Sequence, residues 1–182
     1  MRIKLNNINY TPASEIDELF IKSLLIRCNL PYKDIMPRSL KNFIIAKYQN
    51  NIIGNIGLEI FDEFALIRSL CVEEAYRKEG IGISLYENIL TYAQSKEIKE
   101  LYLLTTTAES FFSHLGFEIV DRSIVPEAIR MSSEFKELCP SSAVCMKIVL
   151  KTLFDIFYSY YIKILRHNNQ KLYRWRLRLT VA

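Results

Sequence analysis

The stretch with the clearest chemical content is Arg77-Lys78-Glu79-Gly80-Ile81-Gly82. Two basic residues precede two glycines spaced two apart, and a helical pattern starts at Gly80. Glycine lacks a Cβ, so another molecule can approach the main chain closely there. The first N–H groups of a helix have no internal partner and favour negative charge. Together these features form a seat for a diphosphate. A Gly-x-Gly before a helix can also be no more than a tight turn, so its surroundings decide. Two other phosphate loops are excluded. A dinucleotide fingerprint needs a third glycine where Leu85 stands, and a triphosphate loop needs Gly-Lys-Ser/Thr, which is absent.

The surrounding residues give the loop a context. Arg-x-x-Gly-x-Gly, after a strand ending in Leu70-Cys71-Val72, resembles the acyl-CoA site of GNAT-superfamily N-acetyltransferases. The resemblance continues through Leu101-Tyr102-Leu103-Leu104-Thr105-Thr106 and Phe111-Phe112-Ser113-His114-Leu115-Gly116-Phe117, which look like the acetyltransferase domain of N-acetylglutamate synthases. The run from Ala65 to Leu150 is closer still to arsenic-resistance N-acetyltransferases. It includes Pro126-Glu127-Ala128-Ile129-Arg130 and Leu138-Cys139-Pro140 through Cys145-Met146. The resemblance covers residues 1–150 and implies acetyl-CoA as co-substrate and a small amine or amino acid as acceptor. It further implies that Leu70, Cys71 and Val72 offer main-chain groups to the pantetheine arm and thioester. Arg77, Lys78, Glu79, Gly80, Ile81 and Gly82 then hold the diphosphate. Direct attack by the amine is implied, with no acetyl-enzyme.

The proton-transfer groups are less evident. An ammonium must lose a proton before it attacks, often through water to a carboxylate. N-acetylglutamate synthases can carry a glutamate early in the loop-bearing strand, where this chain has Leu66. Glu59, on the preceding strand beside Asn55 and Gly57, is the catalytic candidate; a solvated strand-end carboxylate is the alternative. Many relatives reprotonate the thiolate with a tyrosine before Leu-Gly-Phe, where this chain has Phe112. His114 and Tyr102 are substitutes for it, or the thiolate leaves without an acid. Arg68, between Leu66 and Leu70, needs an anion. It either holds an acceptor carboxylate or pairs with Glu59 or another acid. Arg130 is a second carboxylate ligand. Thr105, Thr106 and Thr107 either line the acceptor pocket, with Thr106 assigned there, or cap the next helix. Cys139 and Cys145 flank Pro140, but three metal ligands are not visible, and no metal is expected.

These residues need a scaffold. Alternation and spacing predict strands at residues 2–9, 42–48, 52–60, 64–72, 101–104, 117–120 and 143–150. Helices are predicted at 13–28, from Gly80 to about Ser95, at 109–115 and at 126–138. The first would turn Ile16, Leu19, Phe20 and Leu24 to the core, and the second Ile81, Leu85, Ile89 and Ala93. The strand 64–72 would carry Leu66, Arg68, Leu70 and Val72 on one face. This order suits an α/β (α+β mixed) fold: a mixed, mostly antiparallel sheet of the GNAT type with helices on both faces. A domain at 1–150 would precede an extension at 151–182.

The chain has 182 residues, half of them hydrophobic and 24% charged, enough for one domain with a proper core. The start has no apolar leader, and no apolar run reaches the roughly 20 residues that span a bilayer. Four scattered cysteines form no Cys-x-x-Cys pair, and a cytoplasmic setting is expected. The net charge of +4 is carried by residues 151–182, with seven basic side chains and one acidic; the rest is mildly acidic and shows no footprint for specific nucleic-acid binding. Leu153, Phe154, Phe157, Tyr160, Tyr161 and Ile164 form a stripe at helical spacing. It suits docking on the body or pairing in a homodimer, and less readily an anionic membrane. Two other functions remain open: a non-catalytic acyl-CoA sensor, and acetylation of a protein N-terminus or lysine.

Overall fold

The computed structural model describes residues 7–151. Its centre is a seven-stranded sheet built from β1 (Asn9–Pro12), β2 (Phe43–Tyr48), β3 (Asn51–Phe61), β4 (Phe64–Val72), β5 (Glu100–Thr105), β6 (Glu118–Ile119) and β7 (Val144–Val149). The strands lie in the order β1-β2-β3-β4-β5-β7-β6. Every pairing is antiparallel except β4 with β5, which is parallel. That pair needs a crossover, and α2 (Ile81–Ser95) supplies it. The other helices are α1 (Glu18–Arg27), α3 (Glu109–His114) and the single turn α4 (Glu127–Arg130). The mixed α/β sheet expected from the sequence is present, with the helices attached to it.

Helices cover both faces because the strands alternate. Phe43 and Ile45 of β2 join Ile21, Leu24 and Leu25 of α1 in one buried cluster. Ile44 and Ala46, buried between them, therefore point the other way, toward α2. That helix buries Ile81, Leu85, Ile89 and Ala93, the four residues expected from its spacing. A second cluster joins Leu66 of β4, Tyr102 of β5, Ile129 of α4 and Cys145 of β7.

The first helix departs from expectation. It starts at Glu18, later than Ala13; Ile16, in the turn before it, and Leu19 and Phe20 on its outward face are exposed by 83%, 77% and 65%. The cause is Asp17. Its carboxylate accepts from the Ser14 amide at 2.9 Å and hydroxyl at 2.8 Å, closing the turn Glu15–Asp17. It also takes Lys47 of β2 at 3.1 Å. Asp17 is itself buried, and this tie fixes the rotation of α1 so that Ile21, Leu24 and Leu25 face the sheet. Among the described residues the first strand is Asn9–Pro12, with Thr11 and Pro12 paired to β2. The helix expected at 126–138 breaks after Arg130, and a wide π-type turn, Glu134–Leu138, follows. The strand residues expected at 2–6 and the extension from 152 onward lie outside the described residues.

The Asp17 tie is testable by its pH dependence. Burial works against its charge, but the Ser14 hydrogen bonds and Lys47 outweigh it and hold the carboxyl below its ordinary value. A depressed folded pKa contributes stability above the unfolded value of about 4, which is lost as the pH falls through the folded pKa. Asp17→Ala should therefore cost about 1–3 kcal/mol in urea unfolding at pH 7, and much less at pH 3. An equal loss at both values would remove the charge from the explanation.

Candidate functional site

The strands β4 and β5 separate partway along their length. They pair from Phe64↔Glu100 to Ile67↔Leu103 and no further, although each continues. The break coincides with a bulge against β3. Asn55 pairs with Cys71 and Gly57 with Arg68, so Ser69 and Leu70 together oppose Ile56. Ser69 takes up the extra residue with a φ of +57°, in the left-handed region. Asn55, fully buried, holds it there. Its amide donates to the Ser69 carbonyl at 2.6 Å, and its carbonyl oxygen accepts from the Cys71 thiol at 3.4 Å. The extra residue also reverses the facing of the strand beyond it. Cys71 packs into the α1 cluster, and Val72 turns toward Gly82 of α2. The single face expected for Leu66, Arg68, Leu70 and Val72 is thus corrected: the pleat is interrupted after Arg68.

Past the bulge, the edge of β4 that faces β5 has no strand partner among the described residues. A cleft of about 430 Å³ opens there. Ile67 to Leu70 form one wall and Leu103 to Ala108 the other, with Asn29–Pro31, Phe112 and Leu138–Pro140 around it.

Near this cleft α2 begins at a main-chain concavity. Lys78 and Gly80 both have positive φ, +66° and +79°. No side chain caps the helix, and the amides of Gly80, Ile81, Gly82 and Ile83 meet no acceptor among the described residues. A Cβ at Gly82 would meet the Phe111 ring at 3.7 Å and Val72 Cγ2 at 4.0 Å, both ordinary contacts, so protein packing does not require a glycine there. Free amides at a helix start, two left-handed residues and open space above the backbone make an anion cradle. Lys78, Glu79 and Arg77 are exposed around it. Arg77 turns inward, its Nε donating to the Val72 carbonyl at 2.9 Å.

Arg68 lies beneath the cleft with its side chain 7% exposed. It donates to both oxygens of Asp34, at 2.5 and 2.9 Å. It also meets Glu134 at 3.1 Å and Glu59 at 3.6 Å. Of the two readings of Arg68, the geometry is that of pairing with acids. Burial opposes its charge, but the three carboxylates more than offset this and raise its pKa. The break in the 126–138 helix is explained here, since the turn Glu134–Leu138 brings Glu134 inward to Arg68. Glu59 is left with a raised pKa, chiefly through burial, which Asp34 and Glu134 reinforce and Arg68 opposes. It lines an adjoining pocket of about 270 Å³, with Asp34, Arg38 and Arg68. Arg68 borders both cavities.

The remaining candidates divide. Thr106 and Thr107 line the cleft, while the Thr105 hydroxyl caps the next turn, accepting from the Ala108 amide at 2.9 Å. Cys139 also lines the cleft, with its thiol on Glu134 at 3.1 Å, whereas Cys145 is buried in the second core cluster. His114 is exposed at the end of α3, its Nδ1 on the Ser110 carbonyl at 2.5 Å, and does not line the cleft. As an acid it is in the wrong place: the side chain that reaches the cleft from α3 is Phe112. Tyr102 packs in the core, its hydroxyl donating to Glu100 at 2.6 Å. Arg130 is exposed and lines neither cavity, because the chain turns away after it. The residues missed from the sequence are Asn55 as the bulge anchor, Ser69, Asp34 and Glu134. A buried-type strand carrying Asn55, and Ser69 beside an arginine, were the available signals.

Comparisons with known proteins fit this geometry. The family described as the acetyltransferase (GNAT) domain matches residues 39–119. A protein of Chlorobaculum tepidum named as an uncharacterized N-acetyltransferase is 28% identical over 116 residues, which is 63% of this chain and 72% of that protein. The amino-acid acetyltransferase of Pseudomonas fluorescens is 32% identical over 88 residues, 47% of this chain and only 20% of that protein. Among solved structures, N-acetylglutamate synthase of Neisseria gonorrhoeae, complexed with coenzyme A and N-acetyl-glutamate, superposes with a TM-score of 0.71 at 20% identity. It covers 82% of this chain, which spans only 36% of that one. A Mycobacterium tuberculosis protein in complex with CoA gives 0.68 at 20% identity, covering 79% and 99%. At these identities the structural likenesses establish the fold.

The buried guanidinium gives a stability prediction. Arg68→Leu leaves three carboxylates facing one another and should cost about 3–5 kcal/mol in urea unfolding. Adding Glu134→Gln should recover part of that loss; strict additivity would mean the two residues do not interact.

Proposed function

We propose that the GNAT acetyltransferase domain of this chain, an acetyl-CoA-dependent N-acetyltransferase, moves the acetyl group to the amine of a small amino-acid-like acceptor. The observation that carries this is the separation of β4 from β5 at the Ser69–Leu70 bulge, with the end of β4 at Val72 reaching Gly82 at the uncapped start of α2. The cleft fits a pantetheine arm, the freed edge at Leu70, Cys71 and Val72 offers it main-chain partners, and the cradle from Arg77 to Gly82 suits the diphosphate. Preorganised amides cost nothing to reorient as the thioester oxygen gains charge.

In this reading the acceptor approaches beside Pro31, Thr106 and Cys139, and its nitrogen attacks the thioester carbon. Burial keeps Glu59 more basic than an ordinary glutamate, so it takes the ammonium proton through water while Arg68 stays paired. Phe112 offers no proton, and the coenzyme sulfur leaves as a thiolate, whose ordinary pKa of about 8.5 permits it. Arg68 already has three acids, so an acceptor carboxylate must find another cation. Arg38, which lines the smaller pocket with Glu59, takes that role in this reading. The resemblance over residues 65–150 directs the acceptor search to arsenic-bearing and other toxic amines as well as glutamate.

Thiol release across a panel of amino acids and arsenic-bearing amines tests the reading. Binding of acetyl-CoA without turnover on any amine would favour a sensor, the reading that Phe112 supports. Gly82→Trp should abolish coenzyme binding in titration calorimetry while leaving the unfolding midpoint near wild type. Glu59→Gln should lower kcat/KM by about 10²–10⁴-fold with coenzyme affinity retained. In the wild type kcat/KM should rise with pH, with an inflection above the ordinary glutamate value. That limb should be missing in the variant.

A further inference from the structure

Two thiols that the acetyl-transfer reading does not use meet behind the coenzyme cradle. Cys28 ends α1, half-buried, and Cys71 sits in β4 just past the bulge. Both belong to the α1 cluster, Cys71 buried within it and Cys28 packed against it. The Cys28 sulfur also lies 3.7 Å from the Val72 carbonyl and 3.8 Å from Nη2 of Arg77. The same Arg77 holds the Val72 carbonyl through Nε. Arg27 and Glu73, paired beside it, close the rim. Cys28 is thus joined both to the strand that would carry the thioester and to the arginine of the diphosphate loop.

We propose that Cys28 and Cys71 are a modification site: a thiol pair that peroxides close to a disulfide, loosening the coenzyme cradle. The coupling to coenzyme rests on the acetyl-CoA reading; the thiol chemistry does not. The neighbouring Cys71 thiol lowers the Cys28 pKa to about 6, against burial and with help from Arg77, so the thiolate is present at neutral pH. Cys71 is raised in turn, through Cys28 and burial, and keeps its proton, which it donates to the Asn55 carbonyl oxygen. The Cys28 thiolate attacks a peroxide oxygen and the O–O bond breaks. The sulfur is oxidised to a sulfenic acid, and the peroxide leaves as an alcohol or water after taking a proton from solvent. The Cys71 sulfur then bonds to Cys28, and hydroxide departs with the Cys71 proton as water. Two thiols and one hydrogen peroxide thus give one disulfide and two waters. Closing the pair withdraws the sulfur that partners Arg77 and ties the end of β4 to α1. Cys139 and Cys145 are internal controls, because burial pushes their thiols up to about 12 and about 11.

The test uses the full chain, reduced and then treated with hydrogen peroxide. Intact mass should fall by two hydrogens, peptide mapping should find Cys28 joined to Cys71, and dithiothreitol should reverse both. On the untreated protein, iodoacetamide should label Cys28 well ahead of Cys139. Cys28→Ser should not form the crosslink, and Cys139→Ser should form it normally. Sulfinic acid at Cys28 with Cys71 unreacted, or labelling of Cys139 first, overturns the thiol pair. Calorimetry should show the oxidised protein binding CoA several-fold more weakly; equal affinities overturn the coupling. Reduced protein that binds no CoA counts against the acetyl-CoA reading and the coupling with it, while the mass shift still decides the thiol pair.

Discussion

One hydrogen bond sets the geometry on which the site depends. The buried Asn55 amide holds the Ser69 carbonyl at 2.6 Å and so stabilises a left-handed residue inside a strand. Left-handed backbone at a residue other than glycine costs about 1–3 kcal/mol. It persists because the surrounding sheet and the asparagine determine it together. Without the bulge β4 would continue alongside β5 and the ladder would close. With it, one edge of β4 is released and the cleft opens.

The charges under the cleft obey a second constraint. A guanidinium 7% exposed must be neutralised where it lies. Asp34 comes from the loop after α1, Glu59 from β3 and Glu134 from the wide turn, so three distant segments meet at Arg68. The cluster therefore joins the loop after α1 and the turn Glu134–Leu138 to the sheet. Burial keeps Glu59 weakly acidic, with Asp34 and Glu134 adding to it against the pull of Arg68. Structural pairing and proton transfer are two consequences of one arrangement.

What the sequence disclosed depended on how local its causes were. The helix from Gly80 and its apolar face were legible because spacing by four and a glycine start are local signals. So were β4 with its bounds and the place of β3 in the chain. The rotation of α1 was not, because Lys47 on β2 and the buried Asp17 set it, thirty residues apart. The break after Arg130 was hidden for the same reason: Glu134 turns inward to an arginine far along the chain. His114 was drawn in by its chemistry, yet the helical phase of α3 sends Phe112 to the cleft. The bulge was foreshadowed only by polar residues in an apolar strand.

Amide hydrogen exchange with and without CoA tests the central claim most directly, since it reads the main chain of the cradle and the freed strand edge themselves. Selective slowing at residues 69–72 and 80–83, with little change in β1 and β2, is the outcome this account requires. Saturating CoA that binds yet protects neither segment would contradict it.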